Sequence, residues 1–139
     1  MMPILLRVVT VRLAMSQSIQ FFERARAMAA EGHFEYAIDL FLDGLRDDPG
    51  NIEAHQALRE TSLRRNSLGG TDLPTIKKMK LRLPGADPVE DLLNTERLLA
   101  YDPGNLEWIA AAIRHADAAG LMATKQWFFE IYSAAGRSR

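Results

Sequence analysis

The chain of 139 residues contains no cysteine, which excludes disulfide stapling and thiol chemistry and fits a reducing compartment such as the cytoplasm. It also lacks an excess of either charge: 17 Lys and Arg stand against 18 Asp and Glu, a formal net charge of −1. No global field draws such a chain to nucleic acid or to an anionic membrane, so electrostatic recognition has to come from a local patch. Uncharged apolar runs fall short of the roughly 18–20 residues that cross a bilayer, and no membrane span is expected. Only three histidines occur, His33, His55 and His115, without metal-ligand spacing. Each reads as a structural or surface residue. No Gly-rich phosphate loop follows a strand, because no strand pattern is present. The sequence is therefore expected to hold no catalytic, metal or cofactor site.

The first 14 residues, MMPILLRVVTVRLA, lack acids, and Arg7 and Arg12 interrupt the continuous apolar core that a secretory signal requires. Met15 precedes Ser16-Gln17-Ser18, a natural helix start with serine as cap. Residues 1–15 are expected to form an extension outside the packed domain, a leader or an overcalled start, and residues 16–139 the domain itself. Its composition, 47% hydrophobic and 25% charged, is that of one soluble domain with a real core.

Two copies of Asp-Pro-Gly-Asn, at 48–51 and 102–105, each end one apolar-periodic segment and begin another. Proline there can stop a helix and asparagine can cap the next. Pro49 and Pro103 lie 54 residues apart, whereas Gly32 and Gly120, which precede similar segments, lie 88 apart. A period of about 34 with one insertion of about 20 residues accounts for both intervals. The segment 67–86, with two prolines, three glycines and no helical periodicity, is where that insertion is expected.

Apolar spacings of three and four then predict helices in pairs. Phe21, Phe22, Ala25, Met28 and Ala29 form one stripe, and Ala37, Ile38, Phe41, Leu42 and Leu45 the next. After Asn51, Ala54, Ala57, Leu58 and Leu63 mark a third helix. Asp87, Pro88 and Glu90 open a fourth in capping-box fashion, ahead of Leu92, Leu93, Leu98 and Leu99. Trp108, Ile109, Ala112, Ile113 and Ala116 mark a fifth, and Trp127-Phe128-Phe129 lies in a sixth. Three consecutive aromatics spread over about 200° of a helix, so one of them is left for solvent. Short links make each pair an antiparallel hairpin.

Gly32, Ala37, Phe41 and Pro49 stand at the offsets of a tetratricopeptide repeat, which the chain resembles over about residues 18–139. The match is good in the second helix of the first unit and looser elsewhere. Asp91, Thr95 and Lys125 replace the small and aromatic residues of the pattern. The resemblance implies an all-α, right-handed α–α superhelix of about three hairpins, in units 18–51, 52–105 and 106–139. It also implies a non-catalytic scaffold that holds a peptide or helix of a protein partner in a concave groove. By offset that groove presents Ile19, Phe22, Arg26, Glu53, Gln56, Glu60, Glu107, Ala110 and Arg114. Phe22, Arg26 and Ala57 occupy the places where carboxylate-gripping members carry Lys and Asn, so that clamp is not expected. An alternative is a homo-oligomer formed through Trp127 and Phe128 on the last hairpin.

The insertion carries Lys77, Lys78, Lys80 and Arg82, with Arg64 and Arg65 upstream. Asp72, Asp87, Glu90 and Asp91 dilute this basic patch and no aromatic interleaves it, so nucleic acid is not an expected partner and a solvated loop is. The alternation in Met79-Lys80-Leu81-Arg82-Leu83 allows a short extended segment folded back over a hairpin face.

Overall fold

A computed structural model describes the backbone of residues 4–137 and the side chains of residues 17–137. The described residues form seven helices and no strand. They are α1 (Ile4–Ala30), α2 (Phe34–Asp47), α3 (Ile52–Ser67), α4 (Thr75–Arg82), α5 (Pro88–Tyr101), α6 (Leu106–Ala118) and α7 (Met122–Arg137). The all-α expectation holds. The expected helix start at Ser16 does not, because α1 runs through that position without a break. Whether residues 1–15 stand outside the packed domain concerns side chains that lie outside the described residues.

The periodicity of the sequence is repeated in the backbone bond by bond. Both Asp-Pro-Gly-Asn turns make the same capping set. Asn51 Oδ1 accepts from Ala54 N at 3.1 Å and Asn105 Oδ1 from Trp108 N at 3.2 Å, while each Asn Nδ2 donates to its own Asp48 or Asp102. Helices α1, α3 and α6 end alike too. Gly32, Gly69 and Gly120 have φ of 85°, 84° and 75°. The next N–H, of His33, Gly70 or Leu121, donates back to the carbonyl of Met28, Arg65 or Ala116. This is the Schellman closure, and only glycine adopts its left-handed residue without a Cβ penalty. Gly69 therefore closes α3, and the segment that departs from helix begins after it, a few positions later than composition indicated.

The insertion is not the structureless or extended segment expected. Residues 75–82 form helix α4, with Lys78 Nζ holding Asp72 at 2.8 Å beside its first turn. Leu73, just before α4, is buried among Leu92, Leu98 and Trp108, and Leu81 packs against the same cluster. Met79 and Leu83 do not fold back; both are exposed.

Two apolar clusters form the core. One joins α1, α2, α3 and α5 around Phe22, Ala37, Ile38, Phe41 and Leu45, and the other joins α5, α6 and α7 around Leu92, Leu99, Ile109, Ala112 and Phe128. Gly44 sets the closest approach of the first hairpin: a Cβ there would collide with the Phe22 ring, so α1 and α2 meet where a side chain is missing.

Helix α3 departs from an apolar stripe. Its buried face is His55, Leu58, Thr61, Ser62 and Arg65 together with Ala54, whereas Leu63, expected in the core, is exposed. The two hydroxyls bond back to the carbonyls four residues earlier, Thr61 to Ala57 and Ser62 to Leu58. Arg65 bonds Glu35 at 3.0 Å and the Thr71 carbonyl at 2.6 Å, and lies over the Tyr101 ring. It anchors the start of the insertion and is absent from the surface patch to which sequence assigned it.

Candidate functional site

The third hairpin decides which helices face each other. Helix α6 packs on α5, and α7 returns to touch α3, while no Cα of α6 comes within 8 Å of α3. Helices α3 and α6 are therefore not direct neighbours among the described residues. An open cleft of about 280 Å³ lies between α3 and α7. Gln56, Arg59, Glu60 and Leu63 form one wall, at spacings that keep them on one face of α3, and Trp127 and Ile131 form the other.

Arg59 is the fixed point of this cleft. Its Nη1 donates to the Pro103 carbonyl at 3.1 Å, linking α3 to the second Asp-Pro-Gly-Asn turn. Burial pushes the guanidinium below its ordinary value, though arginine stays charged through the accessible range. Trp127 is braced by Phe128, with ring centroids 4.7 Å apart and planes tilted by 50°.

Arg59 and Trp127 also wall a second, much smaller cavity of about 10 Å³, which lies against His55, Glu96 and Phe128. The space is that of a single water molecule. His55 and Glu96 are both buried, and His55 Nδ1 meets Glu96 Oε1 at 2.6 Å. The other ring nitrogen, Nε2, lies 2.7 Å from the Pro49 carbonyl, which can only accept, so Nε2 carries a proton. With the Pro49 carbonyl at one nitrogen and the Glu96 carboxyl at the other, the surroundings favour the protonated ring. Burial opposes that charge, but the Glu96 carboxylate outweighs it, with help from the Pro49 carbonyl and Asp48, and the His55 pKa is raised. Glu96 Oε2 has no hydrogen-bond partner among the described residues. The pair ties α3, α5 and the first turn together beneath the cleft.

The nine residues assigned to a groove by register are dispersed. Gln56 and Glu60 line the α3–α7 cleft. Glu107 and Arg114 line a different cavity of about 340 Å³, which also includes Arg82, Asp91, Trp108 and His115. Ile19, Arg26 and Glu53 are exposed, Ala110 is half-buried, and Phe22 is core, packed beside Gly44. Of the self-association pair, Phe128 is 2% exposed and buried by its own chain, and Trp127 belongs to the cleft. The aromatic left in solvent is Phe129, at 51% exposure. By repeat offset it should match the buried Phe41, but no described residue covers that side of α7.

The α3–α7 wall and the His55–Glu96 pair were not found from sequence. Their partners are 41 or more residues apart, and the one local signal was the polar residue at an inward position of α3. Among the described residues no group of three His, Asp or Glu is placed to hold a metal ion, and no helix is long and apolar enough to cross a membrane. Comparison with protein-family models, with curated proteins and with solved structures finds no match.

Proposed function

We propose that the protein is a non-catalytic interaction module of tetratricopeptide-like hairpins that takes a peptide or short helix of a protein partner into the α3–α7 cleft. The observation that carries this reading is the cleft's lining: apolar Leu63, Trp127 and Ile131 framed by polar Gln56 and Glu60. An exposed apolar slot with a polar rim is the composition of a recognition surface. Arg59 and the buried ion pair fix the α3 wall against α5 and the two turns, so little order has to be acquired there on binding. The right-handed superhelix and a cytoplasmic setting belong to the same reading.

Leu63 is exposed, so Leu63→Glu leaves the core intact while placing a charge in the slot. Peptides selected from a display library on the unmodified chain are expected to lose about tenfold or more in affinity for this variant, a change of at least about 1.4 kcal/mol. Tryptophan fluorescence, to which Trp127 in the cleft and the buried Trp108 both contribute, follows occupancy through the change at Trp127. Equal affinity for both forms, with no change in tryptophan emission, would remove the cleft from consideration.

A second reading, self-association, is favoured by Met122, Phe129 and Tyr132, which are exposed on α7 at the offsets where α2 is covered by its neighbours. On this second reading, light scattering across a concentration series shows a dimer that Phe129→Ser abolishes. A monomer at every concentration ends this reading and leaves the cleft untouched.

A further inference from the structure

Arginines drawn out of solvent in this chain are matched to carboxylates, with one exception. Arg59, Arg65 and Arg97 are the described arginines that are not fully exposed. Arg65 pairs with Glu35 and Arg97 with Asp39. Among the described residues Arg59 forms no ion pair and lies over no aromatic ring. Its hydrogen bond runs from Nη1 to the Pro103 carbonyl, and no acid offsets the burial of its guanidinium. Most of its fork of N–H groups is left without a protein acceptor.

The unmatched charge belongs to the α3–α7 cleft. Arg59 and Glu60 mark the two edges of an arc of about 100° on α3, with Gln56 and Leu63 between them. Arg59 is the inner edge: it is half-buried, it reaches the second Asp-Pro-Gly-Asn turn, and with Trp127 it also walls the small cavity below. Glu60 is the outer edge, exposed and in no ion pair among the described residues. The cleft is positive at its floor and negative at its rim, and Leu63, Trp127 and Ile131 supply its apolar surface.

We propose that the cleft selects a segment of a protein partner in which a single Asp or Glu lies between apolar residues, its carboxylate pairing with Arg59. The inference rests on the α3–α7 cleft being the binding site and names the chemistry of its occupant. A guanidinium half withdrawn from water gains more from an anion than an exposed one, because solvent screens the pair less, and its planar fork donates to both carboxylate oxygens at once. Gln56 lies about one turn before Arg59 and Leu63 about one turn after it, so a segment running along α3 continues on both sides of the guanidinium. That places a side-chain carboxylate there in preference to a chain end. Glu60 at the rim repels a second acid and favours a neutral or basic residue beside the first.

The test is selection of a random peptide library, displayed with free C-termini, on the full chain, followed by synthesis of the enriched peptides in free and amidated forms. Asp or Glu is expected at one place between apolar residues, with binding that survives amidation and is lost on Leu63→Glu. Changing that acid to Asn or Gln should weaken binding about tenfold or more, and Arg59→Gln should cost the acidic peptide more than its amide counterpart by a similar factor. The peptide change leaves the protein untouched, so its result holds whatever Arg59→Gln does to the tie with Pro103. Peptides that respond to Leu63→Glu but carry no acid, tolerate its amide, or fail when amidated at the C-terminus overturn this proposal and leave the cleft reading standing. Peptides indifferent to Leu63→Glu, or none enriched, end both. A concentration-dependent dimer that Leu63→Glu disperses puts a second copy of the chain in the cleft, and also overturns the proposal.

Discussion

Replacing Glu96 by alanine is expected to lower the unfolding free energy by about 3–5 kcal/mol, a large share of the roughly 5–15 kcal/mol that holds a domain of this size. The loss follows from the geometry of His55, which is sealed in the core with the Pro49 carbonyl on one nitrogen and Glu96 on the other. Removing the carboxylate strands a buried imidazolium, or forces the ring to deprotonate and leaves Nδ1 without a partner. Replacing both residues, His55→Leu with Glu96→Met, should cost far less than the sum of the single changes, because no uncompensated charge remains. The pair also sets a pH dependence. Since the folded-state pKa of His55 is raised, its contribution is complete below the unfolded value of about 6.5 and is lost as pH rises through the folded value. Urea unfolding of the parent should therefore show stability falling above about pH 6.5, a component that Glu96→Ala lacks. A Glu96→Ala cost below about 1 kcal/mol, or stability that rises over that range, would contradict the buried imidazolium.

Phe41→Ala is expected to cost about 3–5 kcal/mol, while Phe129→Ala should fall within about 0.5 kcal/mol of the parent. The two phenylalanines occupy the same repeat offset, nine residues after Gly32 and Gly120. Phe41 is 1% exposed in the cluster where the first hairpin meets α3 and α5, so its removal leaves a cavity that surrounding helices refill only in part. Phe129 meets solvent, and truncation removes little packing. Thermal unfolding measured side by side distinguishes them. Equal losses would mean that α7 is covered in solution as α2 is, which would favour the self-association reading.

Much of the hairpin architecture was legible because its rules are local. The asparagine caps, Pro88 at the start of α5 and the glycines at the ends of α1 and α6 act within one turn of helix, and the predicted element ends fall close to those observed. Even there, Gly69 was misread as part of the insertion, since glycine-rich composition looks the same whether it closes a helix or opens a loop. Helix α4 was missed for a related reason. Its exposed Ile76 and Met79 and its single inward leucine do not produce the stripe by which a packed helix is recognised.

By itself the sequence determined an all-helical chain, the hairpin boundaries and most of the buried apolar positions, since capping and side-chain periodicity depend on neighbours three or four residues away. Only the tertiary structure decided that α7 and not α6 lies against α3, and that His55 finds Glu96. Those outcomes depend on how whole helix faces pack, and residues 40 or more positions apart leave no mark of their pairing in the order of the chain.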